Sequence, residues 1–270
     1  MYAIRSIFSA TVATVLLVAV FCGCSVKERR DACPTYLRIR SEEPVAPGTR
    51  AALHVVQSNG EVYEYEFDAE ELYPDGHVLL VKRRGVISAN VITGIRNMSV
   101  FGSIVRVKDS FQTDSLYRIS GSVESWDEEC EIVATPLKEF SVLTLRINNT
   151  AKPFLFRLNG VWDRIDVSSF RPGRGNVAFS LNDGLIPAGE YRCLLSRQGD
   201  ESLSLEVYDM ESEISAPVRV LPLGKLMTRA GYVLDAVPMQ DVTVDVDLSE
   251  GIVSVKIGDW DAVVFSVYTF

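Results

Sequence analysis

Cys22 and Cys24 stand two residues apart, where an apolar run gives way to Ser25-Val26-Lys27-Glu28-Arg29-Arg30. Two thiols at that spacing could begin a metal site, but a closed tetrahedral site needs four ligands. No His or further Cys lies near enough in sequence to complete it. The chain has two histidines, His54 and His77. A histidine base needs a nucleophile within reach; neither has one at motif spacing, and no Gly-x-Ser-x-Gly elbow is present. Asp241, Asp245 and Asp247 share one face of Asp241-Val242-Thr243-Val244-Asp245-Val246-Asp247. Three carboxylates in a row could hold a hard cation, or form a solvated strand face that discourages edge pairing. Gly173-Arg174-Gly175-Asn176-Val177-Ala178 fits a relaxed dinucleotide pattern. It lacks the preceding strand and following helix that give the pattern its mechanism, so it reads as a turn. Each tryptophan precedes an aspartate: Trp126-Asp127, Trp162-Asp163 and Trp260-Asp261. Trp126, in the acidic turn Glu124-Ser125-Trp126-Asp127-Glu128-Glu129, could stack on a sugar; the alternative is core packing or a turn anchor. These residues yield no catalytic group, metal site or cofactor.

The elements around them say more. Ile7 to Phe21 carries no charge and follows a single basic residue, Arg5. That run is shorter than the roughly 20 residues a comfortable membrane span needs, and it reads as a secretory signal. Phe21-Cys22-Gly23-Cys24 resembles a bacterial lipobox. The resemblance implies removal of residues 1–23, a diacylglyceryl thioether on Cys24 and acylation of the new amino terminus. Two or more acyl chains anchor durably where one binds marginally, so the protein is expected to be tied to a membrane without crossing it. The whole chain has a net charge of −9, and losing the signal removes a base and no acid. Such acidity argues against nucleic acid as a partner. With Cys24 lipidated, Cys33, Cys130 and Cys193 remain in a disulfide-permissive setting. The odd number leaves at least one thiol free or paired with another chain. Cys33 with Cys130 is the expected pair; its loop of about 97 residues would be worth up to about 4.5 kcal/mol. Cys193 shares a strand face with Tyr191 and Leu195 and reads as a buried thiol.

Alternation of period two dominates the rest of the chain. Tyr63, Tyr65 and Phe67 face one way, and Glu64 and Glu66 the other, as in a half-buried strand. About fifteen such runs are separated by turn signals such as Ser58-Asn59-Gly60, Pro74-Asp75-Gly76 and Ser249-Glu250-Gly251. Helical turns are expected only at Ala69–Leu72 and near Leu223–Thr228. The pattern predicts an all-β protein with two β-sandwiches in tandem. A lipidated tether over residues 24–34 leads to an N-terminal sandwich over 35–137 and a C-terminal sandwich over 138–270, with the seam near Thr135-Pro136-Leu137-Lys138. No repeat of fixed period is visible.

Two short-motif resemblances complete the reading. Asp114-Ser115-Leu116 resembles the Asp-Ser/Thr-apolar sequon for O-glycosylation in Bacteroidetes, which makes Ser115 a candidate acceptor. The run from Cys24 to Cys33-Pro34, then Leu116-Tyr117, Val142-Leu143-Thr144-Leu145-Arg146-Ile147 and Val253-Ser254-Val255-Lys256-Ile257-Gly258-Asp259-Trp260, is similar to the FimB-like anchor family of Bacteroidales fimbriae (type V pili). That resemblance implies two transthyretin-like Greek-key β-sandwich domains and outer-membrane attachment through Cys24. It also implies a non-enzymatic place at the base of a fimbria, with a pilin subunit docked by β-strand addition. In this family the shaft pilins are trimmed by an arginine-specific protease. An anchor is expected to keep its N-terminus, because a cut at Arg38, Arg40 or Arg50 would sever the lipid. The chain reads as ending inside its last strand, without a spare donor segment. The competing reading is a surface lipoprotein that binds glycan or another ligand through exposed aromatics such as Trp126.

Overall fold

Period-two alternation becomes strand pairing throughout the computed structural model, which describes residues 32–108, 112–148, 153–173, 177–181, 189–211 and 216–266. The first half holds β1 (Thr35–Ser41), β2 (Arg50–Gln57), β3 (Val62–Asp68), β4 (His77–Val81), β5 (Gly85–Ile95), β6 (Ser99–Phe101), β7 (Ile104–Arg106), β8 (Tyr117–Ser125), β9 (Glu129–Ala134) and β10 (Leu137–Lys138). The second holds β11 (Phe140–Asn148), β12 (Phe154–Val161), β13 (Arg164–Asp166), β14 (Arg171–Gly173), β15 (Val177–Ser180), β16 (Gly189–Ser196), β17 (Ser204–Asp209) and β18 (Arg219–Leu221). A short helix α1 (Leu223–Arg229) then leads to β19 (Val242–Asp247), β20 (Ile252–Ile257) and β21 (Val263–Ser266). A 3-10 turn spans Ala69–Leu72.

The two halves repeat one topology. In the first, a sheet ordered β4-β1-β9 faces a sheet ordered β10-β8-β5-β2-β3. In the second, β16-β11-β19-β20-β21 faces β15-β12-β17-β18. The leading strand of each half makes one antiparallel and one parallel pairing: β1 with β4 and β9, β11 with β16 and β19. Inward side chains fill each sandwich. Leu37, Ile39, Leu53, Val55, Ile87 and Val91 form part of the first core. Leu143, Leu145, Phe156, Leu158, Leu205 and Val244 form part of the second. Burial of such side chains is worth roughly 1.5–3 kcal/mol each, and the alternation read from the sequence is what allows both sheets to contribute to one core.

A fifth sheet joins the halves. The hairpin β6–β7 interrupts the step from β5 to β8, and β13–β14 interrupts the step from β12 to β15. The two insertions meet as β14-β13-β7-β6, with Val105 opposite Ile165. Beneath them Ala52, Ile92, Ile95, Met98, Val105 and Ile165 make a third apolar cluster drawn from both halves. Charge is buried at the same junction. Glu139 pairs with Arg197 and lies 3.7 Å from Arg118. Asp163 is fully buried and accepts from Arg106 at 3.0 Å.

Cys33, Cys130 and Cys193 are free thiols in this structure, which draws no bridge between Cys33 and Cys130. Cys130 lies opposite Leu37 in the parallel ladder, and Cys33 precedes Pro34, whose carbonyl shares Arg84 with that of Trp126.

Candidate functional site

The two sandwiches differ on one side, and the difference creates a site. In the first half, β8 turns directly into β9 and closes that side, and β10 adds to the outer edge of β8 through Leu137↔Arg118 and Lys138↔Tyr117. In the second half, β18 leads into α1, and the facing sheet runs on past β19 into β20 and β21. The sheet with β18 at its edge has no strand opposite that extension among the described residues. The result is an open groove of about 800 Å³. Its floor comes from Val246, Leu248 and Val253, all buried. Its rim carries Val218, Val220 and Val264, which are 51%, 52% and 64% exposed. Prolines at 217 and 222 bracket β18 and keep it short, consistent with proline's exclusion from interior ladder positions.

The groove is apolar but not uncharged. Arg219 and Arg229 line it together with one acid, Asp247. Arg219 donates from Nη1 to the Leu248 carbonyl. The Arg229 guanidinium lies 5.9 Å from the centre of the Phe265 ring. The Oδ1 of Asp247 accepts from the Ser249 amide at 2.9 Å and the Glu250 amide at 3.0 Å, which fastens the turn between β19 and β20. An unpaired edge of N–H and C=O groups beside such a floor is the arrangement that binds an added strand.

The residues singled out from the sequence fall elsewhere. Cys24 lies outside the described residues. Ser115 is exposed, and the preceding Asp114 accepts from the amides of Arg96 and Asn97, both at 2.8 Å. Asp114 thus has a structural task independent of any sugar on Ser115. Trp126 is 49% exposed, with its Nε1 donating to Glu124 at 3.3 Å. Trp162 instead packs on Gly199 and donates to Asp200 at 3.1 Å. Asp241, just before β19, and Asp245 and Asp247 within it are divided among separate tasks: Asp241 pairs with Lys138, Asp245 lies 3.9 Å from Arg146, and Asp247 holds its turn. Gly173 lies in β14, and residues 174–176 fall outside the described residues.

Each histidine has a carboxylate partner. His54 Nδ1 meets Glu64 at 2.9 Å. His77 bridges the Tyr65 hydroxyl, 2.7 Å from Nε2, and Glu71, 2.6 Å from Nδ1. Phe67 stacks on its ring at 3.9 Å. Burial and the Glu71 charge push the Tyr65 phenol up to about 12, so the trio closes the sandwich between the edge strands β3 and β4 with a neutral phenol. Sequence reading missed this network because Tyr65 and His77 meet only when β3 and β4 face each other.

Cys193 is set apart from the other thiols. Burial pushes it up to about 12, and it packs within the second core. The thiolate is the reactive form. Iodoacetamide at pH 8 is therefore expected to label Cys33 and Cys130, both partly exposed, while Cys193 stays unlabelled until denaturant is added. Mass mapping of the alkylated peptides checks this.

No known protein-family model and no curated protein sequence matches the chain. Solved structures do. The fimbrial anchor protein Mfa2 from Porphyromonas gingivalis superposes with a TM-score of 0.59 at 11% identity, over 87% of this chain and 100% of that one. A candidate adhesin from Bacteroides thetaiotaomicron gives 0.57 at 14% identity, over 87% and 99%. A candidate polysaccharide-binding protein from the same organism gives 0.56 at 10% identity, over 87% and 98%. The two-sandwich fold of this chain is thus the fold of a fimbrial anchor and of adhesin-like proteins from Bacteroidales, shared at low sequence identity.

Proposed function

We propose that this chain is a non-enzymatic, lipid-anchored subunit at the base of a fimbria, held in the outer membrane through Cys24 and docking a pilin by β-strand addition. The observation that carries the reading is the likeness to the fimbrial anchor Mfa2 across the whole of that structure. The sequence supports it with a lipobox-like Phe21-Cys22-Gly23-Cys24 and a short charged tether before β1. No described helix is long and apolar enough to cross a membrane, so retention falls to the lipid in this reading. The anchor work divides along the chain: Cys24 holds the membrane, β1 receives the tether, and a sheet edge receives the pilin.

Replacing Cys24 by serine removes the sulfur that takes the diacylglyceryl group. Without stable acyl anchoring, the membrane-bound fraction is expected to fall by at least about tenfold, with fimbriae recovered in the culture medium. Fractionation and immunoblotting of cells expressing Cys24→Ser check this. Retention equal to that of the natural sequence would refute the anchor reading.

A further inference from the structure

We propose that the incoming strand adds to the free edge of β18, lies over the groove floor, and presents a carboxylate to Arg219 or Arg229. The proposal rests on the docking reading above and adds to it the edge, the site and the chemistry of the partner.

The internal duplication selects the edge. β8 and β18 hold the same place in the two sandwiches, each following the strand that pairs with the second strand of its half. Beyond β8 the chain supplies its own added strand, β10, with two antiparallel register pairs. Beyond β18 the equivalent position has no strand among the described residues. The first half thus contains the docked state of the position that the second half leaves open.

Sheet width selects the shape of the occupant. The sheet that ends at β21 has five strands and the sheet facing it has four. One added strand beside β18 makes the two equal and lies over the groove floor. Its inward side chains, at every second position, meet that floor, and its backbone satisfies the β18 edge. A flat ring stacked on the rim would leave the edge unpaired.

Charge selects the end chemistry. Arg219 and Arg229 outnumber Asp247 along the groove. Arg219 donates to the Leu248 carbonyl, and Arg229 is held over the Phe265 ring, with no carboxylate paired to either among the described residues. Guanidinium groups in a partly dry groove favour a carboxylate through charge-assisted hydrogen bonds. The partner strand is therefore apolar at alternate positions and acidic at one end.

The test uses the full mature chain with Cys24→Ser, which is free of lipid, and three synthetic peptides. The first is an acetylated octapeptide alternating valine and threonine with a free C-terminal carboxylate. The second ends in lysine amide, and the third carries proline at its centre. Amide hydrogen exchange is followed with each. The acid-ended peptide is expected to slow exchange at Arg219–Leu221 and to bind about tenfold more tightly than the lysine-ended one. The proline peptide is expected not to bind, because proline cannot complete the ladder. Arg219→Gln with Arg229→Gln should erase the preference for acid while the chain still unfolds cooperatively on heating. Equal binding of the acid and lysine peptides would overturn the charge assignment. Slowed exchange at β3 or β16 instead of β18 would overturn the edge assignment and leave the docking reading standing. Palmitate that displaces the peptide while protecting no β18 amide would identify a lipid-tail groove and overturn the proposal. An absence of protection at every edge with all three peptides would overturn it and count against docking by strand addition as well.

Discussion

Replacing Arg197 by methionine is expected to destabilise the protein by about 3–5 kcal/mol, measured by urea unfolding. Arg197 is 4% exposed and Glu139 0%. The Arg197 guanidinium donates to the Glu139 carboxylate from Nε, to the Leu234 carbonyl at 3.1 Å and to the Ala236 carbonyl at 3.0 Å. Glu139 sits between β10 and β11, the point where the chain leaves one sandwich and enters the other. Its amide donates to the Leu116 carbonyl at 2.9 Å, and Arg118 of β8 lies 3.7 Å from its other oxygen. Removing Arg197 leaves that carboxylate buried with a single, longer-range counter-charge. The loss is therefore dominated by an uncompensated charge rather than by one missing bond. A Glu139→Leu/Arg197→Leu double variant should be no less stable than Arg197→Met, because replacing both partners removes the charge that was stranded. A double variant less stable than the single one would show that the pair itself, and not its desolvation, governs the junction.

Gly94→Ala is expected to cost at least about 4 kcal/mol, a size seen only where a specific structural element is broken. Gly94 lies in β5 with φ +88°. A β-carbon there would stand 2.1 Å from the backbone oxygen of Ser115 and 3.1 Å from its carbonyl carbon. Backbone cannot move aside as a flexible side chain can. The register of β2 with β5 shifts at this point, between Arg50 and Ala52, and the extra β5 residue is what brings Gly94 against Ser115. Gly60→Ala is the control. Gly60 also has a positive φ, +81°, but nothing lies within 4 Å of its β-carbon position. That substitution should cost only about 1 kcal/mol of left-handed strain. Thermal unfolding of the two variants separates close approach from backbone conformation; equal losses would contradict this account of Gly94.

The elements that alternate on their own were legible in the sequence. Glu61–Phe67 reads as a strand and is β3 within a residue at each end. The two expected helical turns stand at Ala69–Leu72 and Leu223–Arg229. The composite sheet was not legible. Arg164-Ile165-Asp166 and Arg171-Pro172-Gly173 are too short to show a period, and they become strands only because β7 lies alongside. The run Val100–Val107 alternates as a single strand would and is two, β6 and β7, with the turn at Gly102 hidden inside an apolar run. The topological duplication left no sequence period either, since each half carries its inserted hairpin at a different step. β18 was hidden by the prolines at 217 and 222, and with it the groove. A groove of this kind is an absence of a strand in one sheet relative to another. Local patterning carries no record of that.

The central claim is a lipid-tethered anchor that holds a pilin. The most direct test is to purify the protein from native outer membranes and determine the mass of its N-terminal peptide together with any polymer bound to it. The account predicts an acylated peptide beginning at Cys24, recovered with a pilin. A lipid-free N-terminus just after Arg38, Arg40 or Arg50 would contradict it and mark the chain as a processed, polymerising subunit.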